Sequence, residues 1–324
     1  GWQSLREWAA NINSGPCQWG IEGAWNCGRG LAQQLVAAGH IVYEVNPRWT
    51  AQGRRQARRP GKTDRLDARA VARCVRQEAP HLPAVVADDV TAVLDLLTSQ
   101  REAVINETSR LWNQLHALLL QLDPEYKERL PPLESAAGQA ALAHYEAPDA
   151  TPIQQARATA VRRLVERLQL GLAQAKDLAA EIRKMTKDAG FAPLTEITGV
   201  ALLTAGTLAG ILGPGCRFRT DAEFAAYAGV APLEASSAGA VRHRLNRSGN
   251  RRLNAILHMM AITQLRCWEP AKKYVARRLT EGKTRREALR ALKRYLARAV
   301  WQAWKRCLAS SQATDEIKAA TQAA

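Results

Sequence analysis

QWGIEGAWNCGRGLAQQLVAAGHIVYEVNP, residues 18–47, decides the fold class of this 324-residue chain. Gln18-Trp19-Gly20-Ile21-Glu22 reads as a short strand. Residues 28–38 read as a helix with Leu31, Leu35 and Val36 on one face. Gly39 stands where a helix-terminating C′ glycine is expected. Ile41 to Val45 reads as a second strand, stopped by Asn46-Pro47. Strand, helix and strand within so short a span predict a compact right-handed βαβ crossover. Residues 1–10, just upstream, read as the end of a helix.

Working outward, residues 48–62 form a basic, glycine-containing loop. Thr63 is placed to N-cap a helix over residues 64–77. Residues 48–78 hold ten Lys/Arg against three acids. Residues 87–122 repeat apolar side chains at threes, fours and sevens (Val90, Leu94, Leu97, Val104, Leu111, Leu115, Leu118, Leu122), a helical period sustained too long for an ordinary globular helix, which predicts a coiled coil or a long hairpin. Residues 123–152 contain Pro131-Pro132 and small residues, and read as a loop region. Residues 153–185 form a second long amphipathic helix, a natural antiparallel, coiled-coil-like partner for the first. From about Phe191 the pattern changes to short helices, glycines and two strongly basic stretches. Residues 241–252 carry five arginines and no acid, and residues 272–306 carry thirteen Lys/Arg and two acids. The expected class is therefore α/β plus mostly α. The expected domains are 1–86, 87–188, 189–309 and a flexible tail at 310–324.

Composition narrows the partners. With 46 Lys+Arg against 30 Asp+Glu, the formal net charge is +16. Such a chain accumulates on polyphosphate, because each phosphate neutralised releases condensed counterions. Cys17, Cys27, Cys74, Cys216, Cys267 and Cys307 are scattered without a C-x-x-C pair, which argues against zinc and against a disulfide framework. No apolar run reaches a membrane-spanning length, and the first residues do not read as a signal peptide. A reducing, cytoplasmic setting with no membrane partner is expected.

Three constellations could carry chemistry. Glu22 closes a predicted strand, and Asp64 and Asp67 share one face of one helical turn. Three converging carboxylates would repel without cations, and hard oxygen ligands suit Mg²⁺. The alternative is that Asp64 and Asp67 merely favour the helix dipole. Residues 194–205 (LTEITGVALLTA) have the pattern of a helix-hairpin-helix, whose turn can offer backbone N–H groups to a phosphate; an ordinary αα-corner fits as well. Finally, Ser236 and Ser237 sit in a small-residue loop ahead of an arginine-rich strand or turn and a helix. A serine there could attack phosphorus while arginines hold the non-bridging oxygens. A loop serine with no chemical role is the alternative.

Together these motifs resemble the DEDD-type transposases of insertion sequences, described as bridge-RNA-guided serine recombinases. The resemblance rests on Ile21-Glu22-Gly23, on Val45-Asn46-Pro47 and on the lysine-threonine-aspartate run at residues 62–68. It rests equally on Gly229-Val230-Ala231-Pro232 and on Gly249-Asn250-Arg251-Arg252-Leu253. It implies a RuvC-like (ribonuclease-H-like) α/β domain, long antiparallel helices and a mainly helical C-terminal transposase domain. Glu22, Asp64 and Asp67 would be three of four metal-binding acids, for two Mg²⁺ ions in the intact site. Ser237 would be the nucleophile, although Ala238 replaces the family's following glycine. Arg54, Arg55, Arg58, Arg59, Lys62, Arg242, Arg244, Arg247, Arg251 and Arg252 would contact nucleic acid. The implied partners are DNA, a guide RNA and further copies of the chain joined through the long helices. No residue matches the family's first aspartate, so the chain is expected to resemble an N-terminally truncated member with impaired strand exchange. A non-catalytic DNA/RNA-binding relative and a RuvC-like metal-dependent nuclease are the alternative functions.

Overall fold

The computed structural model describes all residues except 14, 48–49, 51–62, 148–150, 215–217, 235–242, 245, 247–248 and 323–324. The chain divides into two compact units. One comprises residues 1–92, 196–199 and 211–324; the other comprises residues 93–195 and 200–210.

The first unit opens with helix α1 (Trp2–Ile12), strand β1 (Gln18–Glu22), helix α2 (Arg29–Ala37) and strand β2 (Ile41–Val45). β1 and β2 pair in parallel, from Gln18 opposite Ile41 to Glu22 opposite Val45. The expected strand–helix–strand crossover is thus present. Its helix ends as the glycine requires: Gly39 has φ +82°, its N–H donates to Val36 O, and the His40 N–H donates to Leu35 O. A third strand, β3 (Ala84–Val85), pairs antiparallel to β2. It follows helix α3 (Asp64–Glu78), whose N-cap Thr63 accepts from the Leu66 N–H at 3.3 Å.

Strand periodicity sorts the small sheet into two faces. Val42 and Val85 pack with Ala24, Ala32 and Leu35, joined by Trp19 and Ile21. The opposite face carries Val45 with Val75 and Leu82, joined by Tyr43 and Val71. The face of α2 differs from the expected one: Ala32 is fully buried beside Leu35, while Leu31 is 41 % exposed. On the opposite face, Gly20 admits α3. A methyl group there would lie 2.6 Å from both Val71 Cγ1 and Val75 Cγ2.

The second unit is built on helix α4 (Val90–Leu122) and helix α7 (Pro152–Asp188). They run antiparallel. Gly171 lies against Thr108, Glu107 pairs with Arg167 at 3.0 Å, and Leu115, Leu119 and Leu122 pack with Ala158, Val161 and Val165. Between them, residues expected to form a loop contain helices α5 (Tyr126–Arg129) and α6 (Ala136–Ala143). Tyr126, Leu133, Leu142 and Tyr145 bury their side chains against the end of the helical pair. Tyr126 Oη also lies 2.7 Å from His116 Nδ1. The apolar drive of these four residues outweighs the turn signal of Pro131-Pro132.

The segment read as a helix-hairpin-helix or an αα-corner holds a 3₁₀ turn (Ala192–Glu196), Gly199 at φ +92° and helix α8 (Leu202–Leu212). The remainder of the first unit holds helix α9 (Asp221–Tyr227), strands β4 (Leu233–Glu234) and β5 (His243–Arg244), and helices α10 (Arg251–Cys267), α11 (Glu269–Thr280) and α12 (Arg285–Gln322). α12 is the axis of this part, packing against α9, α10 and α11. Its Val300, Ala303 and Trp304 are essentially buried. Its backbone is helical through Gln322, beyond the expected boundary at residue 309. Among the described residues, no helix is long and apolar enough to cross a membrane.

The tightest test of the α/β packing is Gly20→Ala. Overpacking against two valines should destabilise the first unit by about 1–3 kcal/mol, read as a shift of the denaturant midpoint. An unchanged midpoint would mean that α3 does not lie on β1 as described.

Candidate active site

Glu22 is the last residue of β1. Strand alternation puts it on the same sheet face as Gly20, the face covered by α3. Asp64 and Asp67 lie in the first turn of α3. With Val71 and Val75 they follow the spacing i, i+3, i+7 and i+11, so both aspartates share the stripe that meets the sheet. Sequence spacing and fold therefore place all three acids on one side of the sheet. They do not, however, draw together. Among the described residues, no three His, Cys, Asp or Glu side chains form a group able to hold a metal ion. The Glu22 carboxylate instead accepts a hydrogen bond from the hydroxyl of Thr50, a residue that is 2 % exposed. That contact was not foreseen, because nothing in the sequence ties a threonine after Asn46-Pro47 to the end of β1.

The foot of the serine loop lies within the described residues. Ser236 and Ser237 lie outside the described residues, as do Arg54, Arg55, Arg58, Arg59, Lys62, Arg242 and Arg247. The flanking backbone is paired, Leu233 with Arg244 and Glu234 with His243, as a short antiparallel ladder. Below this ladder the two stems meet at Gly229 and Gly249. A methyl group on Gly249 would fall 2.2 Å from the Gly229 nitrogen and 2.3 Å from its Cα, so no larger residue fits. Gly229 itself has φ +68°, a conformation that favours glycine.

Asparagines fasten the stems around this crossing. The Asn250 N–H donates to Tyr227 O at 2.7 Å, and Asn250 Nδ2 donates to the Tyr227 hydroxyl at 2.7 Å. Asn250 Oδ1 accepts from the Leu253 N–H at 2.9 Å, which makes Asn250 the N-cap of α10. Asn246 Nδ2 donates to Ala226 O at 3.2 Å, and Asn254 Nδ2 donates to Ala228 O at 2.8 Å. Arg251, on the first turn of α10, is exposed, and Arg252 is half-buried. The three-asparagine grip was missed at the level of sequence. Its only trace there is the four-residue spacing of Asn246, Asn250 and Asn254. The arrangement fixes the described stems on either side of residues 235–242, with the N-terminus of α10 and the exposed Arg251 next to the second stem.

Comparison with known proteins agrees with this division. A sequence model of the Transposase IS116/IS110/IS902 family matches residues 192–276, which include the serine loop and its asparagine clamp. A second transposase model, of the IS110 DEDD type, matches residues 1–124, which include Glu22, Asp64 and Asp67. The chain is 28 % identical over 280 residues to an uncharacterized 43.6 kDa protein of insertion element IS110 from Streptomyces coelicolor, covering 72 % of this chain and 68 % of that one. It is 23 % identical over 229 residues to the transposase for insertion sequence element IS1328 of Yersinia enterocolitica, covering 70 % and 65 %. It is 25 % identical over 326 residues to an uncharacterized 44.8 kDa protein of insertion element IS116 from Streptomyces clavuligerus, covering 88 % and 81 %. The chain thus spans about two thirds of the first two relatives. With the two family segments in order along one polypeptide, the chain belongs to the IS110/IS116 family of DEDD-type insertion-sequence transposases.

Proposed function

We propose that the chain acts on DNA as a transposase that breaks and rejoins phosphodiester bonds through Ser237. The observation that carries this reading is the closed foot of the serine loop. A crossing that admits only glycine and three asparagine side-chain hydrogen bonds to residues 226–228 hold both stems. Such a foot holds the stems at a constant separation, which is what nucleophilic attack by a positioned hydroxyl needs.

In the proposed step the serine oxygen bonds to phosphorus and the bond from phosphorus to one deoxyribose oxygen breaks. The serine proton ends on that departing hydroxyl. A hydroxyl of the second DNA duplex then attacks the phosphoserine, which restores the serine and joins the new strand. Arg242, Arg244, Arg247, Arg251 and Arg252 would neutralise the non-bridging oxygens. Arg54, Arg55, Arg58, Arg59 and Lys62 would hold backbone further along the nucleic acid. A guide RNA selecting the DNA target, and pairing of copies through α4 and α7, complete the proposal.

Divalent-metal dependence goes with a DEDD-type family, and Mg²⁺ is the proposed ion because carboxylates are hard oxygen ligands. Glu22, Asp64 and Asp67 are the residues that would hold it. As they stand, these three do not fit an ion, since they form no common cluster and Thr50 engages Glu22. The same observation favours one second reading, a relative that binds DNA or RNA without exchanging strands.

One measurement separates these readings, and a second tests the interface that they share. Incubated with labelled duplex DNA, the parent chain should form a covalent protein–DNA species on a denaturing gel, and Ser237→Ala should abolish it while leaving DNA affinity nearly unchanged. DNA binding without any covalent species supports the second reading, whereas a covalent species that persists in Ser237→Ala excludes the serine. Separately, Arg251→Ala should flatten the slope of log affinity against log salt by about one, the value for one lost phosphate contact. An unchanged slope would remove Arg251 from the interface.

A further inference from the structure

Lys293 stands in the most basic stretch of the chain, yet it is 8 % exposed, buried among the apolar residues of α12. Its neighbours on that helix behave differently. Arg294 pairs with Asp221 at 3.1 Å, and Arg298 approaches the same carboxylate at 3.7 Å. Lys293 has no such partner: among the described residues, its ammonium has one hydrogen-bond acceptor, Asn254 Oδ1 at 2.5 Å. Burial pushes its pKa below the ordinary lysine value. A buried ammonium facing a neutral amide costs more desolvation than it recovers, and an apolar side chain of similar length would fill the space more cheaply. Packing therefore does not account for a lysine here. The hydrogen bond remains to be explained.

That bond fixes which way the Asn254 amide points. An ammonium can only donate, so its contact selects Oδ1 and turns Nδ2 the other way. Nδ2 then donates to Ala228 O at 2.8 Å, immediately before the Gly229–Gly249 crossing. The chain of contacts runs from the Lys293 ammonium to the Asn254 amide, then to the Ala228 carbonyl and the foot of the serine loop. It lies entirely within the first unit. Asn250, one turn earlier on α10, holds Tyr227 independently.

We propose that Lys293 is a positioning residue for the serine loop, acting through Asn254 to hold Ala228 and thereby the stem at Gly229. The link to catalysis rests on the reading of Ser237 as nucleophile; the link to loop geometry does not. Lys293 touches neither substrate nor serine in this role. Its contribution is to keep one amide in one orientation.

The experiment uses the full chain with Lys293→Met and Asn254→Asp. The first removes the donor while preserving length and apolar packing. The second keeps an acceptor for Lys293 but cannot donate to Ala228. Amide hydrogen exchange is followed by mass spectrometry in peptides covering residues 227–234 and 243–250, with residues 269–280 as an internal reference. In parallel, covalent adduct formation with labelled duplex DNA and DNA affinity are measured.

Both variants should exchange about tenfold faster in the two stem peptides, the scale of one lost charge-assisted hydrogen bond, with the reference peptide unchanged. Adduct yield should fall by a similar factor, with DNA affinity held within about twofold because Lys293 is buried. Unchanged stem exchange in folded Lys293→Met overturns the proposal, whatever the adduct yield. If Lys293→Met does not fold, Asn254→Asp decides: unchanged stem exchange in that variant overturns the proposal equally. Faster stem exchange in a protein whose parent forms no adduct supports the positioning role and instead defeats the nucleophile reading.

Discussion

Gly229 and Gly249 meet backbone to backbone, so closely that a methyl group on the second would sit inside the van der Waals radius of the first. The C-terminal part of the chain is organised around this contact. Gly229 ends α9 at positive φ, and Gly249 precedes the N-cap of α10. The crossing therefore fixes two helices and the loop between them at once. α12 packs against α9 and α10, and it supplies arginines to Asp221 at the start of α9. Remove the crossing and the asparagine contacts lose their register, because each spans the same gap between stems.

The α/β end depends on another glycine in a comparable way. Gly20 leaves room for Val71 and Val75, so α3 lies directly on β1 and carries Asp64 and Asp67 to the face of the sheet that holds Glu22. The fold thus brings the three acids to one side without closing them on one point. Among the described residues, the Glu22 carboxylate accepts the hydroxyl of Thr50. The two ends of the chain consequently differ in readiness. The serine loop has a finished foot, whereas the acids form no completed cluster.

Much of this was legible in the sequence. The β-branched run at Ile41–Val45, Gly39 after the helix and Thr63 before Asp64 are local signals, and each acts locally in the structure. The long helices were legible because their apolar period persists over many turns. What was hidden depends on tertiary contact. β3 is two residues long and carries no alternation to detect. Ala32 rather than Leu31 faces the sheet, since a small residue allows close approach and pattern reading favours the large one. Helices α5 and α6 were hidden behind Pro131-Pro132. Lys293 resembles any other charge on a solvated helix until α10 is packed against it, and Asn254 has no visible partner until Ala228 is brought within reach. The serine assignment rests on resemblance, since spacing alone favours a structural loop or N-cap serine.

The account stands or falls on which atom becomes joined to DNA. Digesting the trapped protein–DNA species with trypsin and nuclease, then sequencing the modified peptide by mass spectrometry, answers this directly. The account predicts a residual nucleotide on Ser237, with Ser236 unmodified. A nucleotide on Ser236, on a tyrosine, or on any residue outside the loop clamped by Gly229 and Gly249 would contradict it.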